Sequence, residues 1–162
     1  MKKGSGKVIS TLVGAVMGAV AGGVAVKTST TKTIEGKQET LKKVHVLYCA
    51  FDRWLQIRQD GRTLVEYFKN NNYKTVAVYG MKELGERLID ELRDSDIKVC
   101  YAIDRNADQI YSDVDIVTSD DYLEPVDVIV VTAIYYFEEI EETLRSKVDC
   151  PIVSLEDIIY EL

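Results

Sequence analysis

From Thr75 to Leu162, short apolar runs alternate with stretches whose apolar residues recur every three or four positions, and no other feature restricts the fold as much. Thr75 to Tyr79, Ile97 to Ile103, Asp115 to Val117, Val126 to Ala133 and Pro151 to Ser154 read as strands. The longer ones are nearly continuous in apolar residues, as a strand covered on both faces requires. Between them, Glu83 to Arg93 places Leu84, Leu88 and Leu92 on one helical face, and Glu138 to Arg145 does the same with Ile140 and Leu144. Ser154 with Asp157 resembles a capping box that opens a last helix, Leu155 to Leu162. Strands joined through helices need crossover connections, so the expected architecture is α/β: a small parallel sheet of four or five strands with helices on both faces. Residues 105 to 125 lack the pattern of a full crossover, which makes the domain a reduced version.

The dinucleotide-binding form of this architecture, the Rossmann fold, carries G-x-G-x-x-G in the turn after its first strand, where helix amides meet a pyrophosphate. Here the turn reads Gly80-Met-Lys-Glu-Leu-Gly85. The first and third glycines are present, and Lys82 stands where a glycine allows close backbone approach. Its ammonium would instead pair with a phosphate or carboxylate. Asp104 ends the second strand, where an acidic residue bonds ribose hydroxyls. The candidate binding residues are therefore Tyr79, Gly80, Met81, Lys82, Gly85, Asp104, Arg105, Thr132 and Ala133, all at the turn or the carboxyl ends of strands. The ligand class is a nucleotide, NAD(P) or a nucleotide sugar. The alternative is a Rossmann-like domain without a ligand, in which Gly80 and Gly85 serve only the turn and helix–strand packing.

No catalytic set accompanies the turn. None of the ten tyrosines is followed four residues later by lysine, so the acid–base pair of short-chain dehydrogenases and sugar epimerases is missing. His45, the sole histidine, lies on a linking helix with no Cys, Asp or Glu expected at ligand spacing, so neither a metal site nor a Cys–His arrangement is anticipated. Cys49, Cys100 and Cys150 are spaced too widely for a zinc knuckle or redox motif and read as reduced structural thiols.

Charge divides the chain. Residues 1 to 43 hold eight Lys against two Glu, whereas residues 44 to 162 hold twelve Lys and Arg against twenty-five Asp and Glu. An acidic body repels phosphate backbones, which excludes nucleic-acid binding. Within the basic leader, Val8 to Val26 contains no charge and is long enough as a helix to span about 30 Å of hydrocarbon. A single transmembrane helix is expected, with a cleaved signal peptide as its rival. Gly14, Gly18 and Gly22 form one small-residue face suited to self-association or to a partner's membrane helix. The reduced thiols and the α/β pattern put the C-terminal domain on the cytoplasmic side of the cell membrane.

Residues 1 to 27 thus form the anchor, 28 to 72 a polar linker with amphipathic helices, and 73 to 162 the α/β domain. In the middle segment, Ile34, Leu41, Val44, Tyr48, Phe51 and Leu55 follow the spacing of an a/d seam. That stripe would meet a second copy or its own domain, and Leu47 and Trp54 widen it towards globular packing. Gly61 ends the helix, Arg62 to Asn71 reads as a second one, and Asn70-Asn-Asn72 stops it.

Trp54-Leu, Tyr67-Phe, Val78-Tyr-Gly-Met, Leu84-Gly-Glu-Arg-Leu88, Ala102-Ile-Asp-Arg105, Val131-Thr-Ala133 and Ser154-Leu-Glu-Asp-Ile-Ile159 together resemble Rossmann-like proteins of bacterial capsule and exopolysaccharide gene clusters. These occur alone or attached to glycosyltransferases and are often labelled nucleoside-diphosphate-sugar epimerase-like. The resemblance covers Trp54 to Leu162 and implies a place in cell-surface polysaccharide synthesis, with a glycosyltransferase as a possible partner. The missing catalytic pair contradicts the epimerase label. The function expected is a membrane-anchored, nucleotide-binding accessory module. The alternative is a non-catalytic scaffold that oligomerises through its glycine face and amphipathic helices.

Overall fold

The computed structural model describes residues 34–162. Val8 to Val26, with Gly14, Gly18 and Gly22, lie outside them, and among the described residues no helix is long and apolar enough to cross a membrane. The chain divides into two units after Val44. In the first, residues 34–44 are helical, Glu39 and Lys43 pair one turn apart at 2.8 Å, and Ile34, Leu41 and Val44 are exposed.

The second unit, His45–Leu162, opens with helix α1, residues 45–59. It ends as its sequence requires. Gly61 has φ +76°, its N–H reaches Arg58 O at 3.1 Å, and Arg62 N reaches Ile57 O at 3.0 Å, the paired bonds of a Schellman cap. Helix α2, Val65–Asn70, ends in the same way on Asn72, at φ 59°, with Asn72 N on Lys69 O and Tyr73 N on Phe68 O. Asparagine tolerates that left-handed conformation better than most residues.

The remaining elements alternate: β1 Thr75–Tyr79, α3 Glu83–Leu92, β2 Lys98–Ile103, β3 Ile116–Val117, β4 Val128–Val131, α4 Phe137–Arg145, β5 Ile152–Ser154 and α5 Leu155–Glu161. All strand pairs are parallel, in the order β3-β2-β1-β4-β5. That is the order of a doubly wound sheet, in which β1 and β4 are neighbours although the chain leaves β1 in the opposite direction. Ser154 caps α5 by accepting the Glu156 N–H at 3.2 Å, one residue earlier than the expected capping box would place the bond.

Alternate residues of each strand feed two cores. Val76 and Val78 of β1, Ala102 of β2 and Val128 and Val130 of β4 meet Leu84 and Leu88 of α3, Ile158 and Ile159 of α5, and Trp54, Ile57 and Phe68 of α1 and α2. On the opposite face Ala77, Tyr79, Ile103, Ile129 and Val131 meet Ile140 and Leu144 of α4. Each buried Leu, Ile or Val contributes about 1.5–3 kcal/mol relative to exposure, so both layers stabilise the sheet. The linking stripe is split between the two environments. Leu47, Ala50, Phe51, Trp54 and Ile57 pack inward, whereas Tyr48 and Leu55 are 64% and 56% exposed.

Residues 105–125 contain only a 3₁₀ turn, Ala107–Gln109, and the two-residue β3. Where a fuller domain would lay a crossover helix, Leu123 inserts a single apolar side chain beneath the second face, and Tyr101 Oη donates to Glu124 O at 2.7 Å.

Candidate functional site

The site is built at the carboxyl end of β1. Gly80 leaves the strand at φ +98°, a conformation that side chains rarely adopt, while its N–H donates to Ile103 O at 2.8 Å. Its carbonyl turns inward, accepting from Thr132 Oγ1 at 2.7 Å. Thr132 is buried, its hydroxyl also lies 3.0 Å from Tyr79 O, and its own N–H donates to Tyr79 O at 2.9 Å. A Cβ on Gly85 would stand 2.0 Å from Gly80 O, and one on Gly80 would stand 2.9 Å from Thr132 Oγ1. Both glycines are thus required by the packing of α3 against β1 and β4, whatever the turn binds.

Asp104, at the end of β2, faces this turn. Its Oδ2 accepts the Met81 N–H at 2.9 Å and its Oδ1 accepts the Asn106 N–H at 2.9 Å, while the Met81 side chain is buried. Arg105 reaches across the crevice to Glu139 of α4 at 3.3 Å, and its guanidinium is held even further above neutrality by a hydrogen bond to Tyr79 and then by Glu139. Ala133 N lies 3.4 Å from the position of a Cβ on Gly80. Eight of the nine expected residues, Tyr79, Gly80, Met81, Gly85, Asp104, Arg105, Thr132 and Ala133, therefore converge around one turn. Lys82 sits at the N-cap of α3 with its side chain exposed.

The electrostatics differ from those of a tight pyrophosphate site. Glu83 and Glu86 occupy the first turn of α3, so the positive end of the helix is already opposed by two carboxylates. A cavity of about 440 Å³ beyond β4 and β5 is acidic too, lined by Glu138, Glu139, Glu156 and Asp157 beside Tyr135 and Tyr136. Lys82, exposed at the N-cap of α3, and Arg105, already paired with Glu139, are the cationic residues that adjoin the turn in sequence or space.

One pairing was missed in the sequence. His45 does have a cysteine partner: Cys49 Sγ lies 3.7 Å from His45 Nε2, because residues four apart on a helix share a face. The spacing itself was the signal. Among the described residues no group of three or more His, Cys, Asp or Glu is placed to hold a metal ion, and Cys49, Cys100 and Cys150 are all free thiols.

No protein-family model matches the chain, and neither a curated protein nor a solved structure matches it.

Proposed function

We propose that the chain is a membrane-anchored, cytoplasmic Rossmann-like accessory module that binds a nucleotide, dinucleotide or nucleotide sugar at the carboxyl end of β1 and serves cell-surface polysaccharide synthesis. The observation that carries the ligand is the position of Asp104, whose carboxylate is pinned against the Gly80 turn by the Met81 N–H. A carboxylate oxygen holding one N–H keeps a lone pair for a ribose hydroxyl. Arg105 and Lys82 supply the phosphate partners. Glu83 and Glu86 favour a ligand whose phosphates meet these side chains rather than the helix amides, which points to a loosely held nucleotide or nucleotide sugar. The anchor reading rests on the uncharged Val8 to Val26, and the polysaccharide context on the family resemblance.

Calorimetry on the full chain in mild detergent, with NAD(H), NADP(H), UDP-sugars and adenine nucleotides, tests the ligand. At least one should bind, and Arg105→Ala should weaken that binding about fivefold or more by removing a charge-assisted bond. Silence towards all of them at millimolar concentration refutes the reading.

A second reading, a scaffold that oligomerises through Gly14, Gly18, Gly22 and the Ile34 to Leu55 stripe, is favoured by one observation. Ile34, Leu41, Val44, Tyr48 and Leu55 are 49–66% exposed although large and apolar. Crosslinking of the wild-type chain and of a Leu41→Lys, Tyr48→Lys variant separates the readings. Unchanged oligomers in the variant remove the stripe from the account.

A further inference from the structure

Four strands of the sheet end level with one another. Tyr79 of β1 pairs with Ile103 of β2 on one side and with Val131 of β4 on the other, and Val131 pairs with Ser154 of β5. Asp104, next after Ile103, and Ser154 therefore stand three strand spacings apart, about 14 Å, with the Gly80 turn and Thr132 between them. The cavity of about 440 Å³ lies at the Ser154 end of that row, and Glu139 on its wall reaches back to Arg105 at 3.3 Å. A ligand whose ribose meets Asp104 and whose phosphates cross the turn extends its next group into this cavity. Tyr135 and Tyr136 line it with rings at 80° to each other, 40% and 44% exposed. Ser154 lines it too and is 4% exposed; its hydroxyl accepts the Glu156 N–H at 3.2 Å and gives its own hydrogen to no acceptor among the described residues. The lining holds four carboxylates and, among the described residues, no lysine or arginine.

We propose that this cavity is the sugar subsite of the nucleotide site and takes an uncharged hexose carried on a nucleoside diphosphate. The proposal rests on the nucleotide reading of the Gly80 turn and narrows its ligand. The volume lies within the range of small-molecule sites. A pyranose offers two kinds of surface: an apolar C–H face, which packs against an aromatic ring, and a rim of hydroxyl donors. A carboxylate accepts hydrogen bonds and gives none, so Glu138, Glu156 and Asp157 call for such a rim. The Ser154 hydroxyl supplies the one buried donor, to a sugar oxygen. A nicotinamide ring brings only the two N–H groups of its amide to the same acceptors. A hexuronate adds a fifth carboxylate to four, with no cation on the lining to offset it, and like charges set together oppose binding. The cavity thus sorts nucleotide sugars by the charge of the sugar.

Calorimetry on the full chain in mild detergent at low salt, with UDP, UDP-glucose, UDP-glucuronate and NAD(H), tests it. UDP-glucose and UDP-glucuronate differ at one carbon, which carries a hydroxyl in the first and is a carboxylate in the second. UDP-glucose should bind about fivefold or more tighter than UDP-glucuronate. It should bind about tenfold tighter than UDP, through hydrogen bonds from the hexose to the carboxylates. In the Glu138→Gln, Asp157→Asn variant, altered at two exposed positions, the gap between UDP-glucose and UDP-glucuronate should shrink to about twofold. Equal affinity for those two sugars, a gap that the variant leaves unchanged, UDP binding as tightly as UDP-glucose, or binding of NAD(H) alone overturns the sugar subsite and leaves the nucleotide reading standing. No binding by any of the four also overturns the subsite; if adenine nucleotides and NADP(H) are silent as well, the nucleotide reading falls with it.

Discussion

The Trp54 indole donates to Glu91 Oε2 at 2.7 Å while Glu91 Oε1 accepts the Leu64 N–H at 2.6 Å, so one carboxylate on α3 ties α1 to the entry of α2. The Glu91 side chain is 10% exposed, and Arg58 stands 3.8 Å from it. Replacing Glu91 by Leu strands two donors beside the core and should cost about 2–4 kcal/mol, whereas Gln, able to satisfy one donor, should cost about half as much. Trp54 is the chain's single tryptophan, so fluorescence-monitored urea unfolding reads the site directly. A Glu91→Leu variant as stable as wild type would show that the carboxylate is dispensable.

Gly85 and Gly61 separate collision from conformational strain. A Cβ at Gly85 meets the Gly80 carbonyl, and Gly85→Ala should lose about 3 kcal/mol or more, or fail to fold. At Gly61 a Cβ meets nothing within 4 Å, and only the positive φ opposes it, so Gly61→Ala should lose about 1–2 kcal/mol. Denaturant midpoints of the two variants give the comparison; equal losses would mean that the turn relaxes around the added methyl.

Asp127 binds the start of β1 to the loop before β4. Its Oδ2 accepts Lys74 N at 2.7 Å and Thr75 N at 2.8 Å, and these backbone bonds hold its carboxyl below the ordinary aspartate value. A depressed folded value means that the stabilisation is present above the ordinary pKa and disappears as pH falls through the depressed one. Asp127→Asn should therefore lower Tm at neutral pH, and the gap to wild type should close in acid. A gap that stays constant down to the acid transition would remove the charge from the explanation.

Tyr101 gives the alkaline counterpart. Burial, with smaller contributions from the Cys150 and Cys100 thiols, pushes its hydroxyl up to about 12, from an ordinary value of 10.0. Its contribution is complete below the ordinary value and is lost as pH rises through the folded one. Ultraviolet titration should show Tyr101 among the last of the ten tyrosines to ionise. In Tyr101→Phe the Glu124 carbonyl loses its donor, at a cost of about 1 kcal/mol near neutrality, and stability should decline less steeply above pH 10. A titration in which all tyrosines ionise together below that pH would contradict the buried placement.

Periodicity revealed what repeats and missed what happens once. The apolar runs at Val76 to Val78 and Val128 to Val131 and the leucines of α3 announced buried strands and a covering helix, because burial on a regular element leaves a regular trace. The ends of those elements shifted where side chains intervene. Val126 to Ala133 contracts to Val128–Val131 in part because Thr132 turns its hydroxyl back to Tyr79 and Gly80. The helix expected from Arg62 begins at Val65 because the Glu66 carboxylate receives Thr63 N and Arg62 Nε ahead of it. Leu123, a single buried residue between exposed Tyr122 and Glu124, has no period to betray it. At the turn, the glycines and Asp104 could be found by spacing, but the use of Asp104 to hold Met81 N depends on where β2 ends beside β1. His45 and Cys49, four residues apart on one helix face, form a pair that leaves no apolar period to mark it.

The sheet is widest at its centre and nearly vanishes at its margins. β1 carries five residues between two neighbours, whereas the outer strands β3 and β5 have two and three. Margins so brief expose too few unpaired amides and carbonyls to template another strand. Copies of this domain are thereby shielded from joining edge to edge into fibrils.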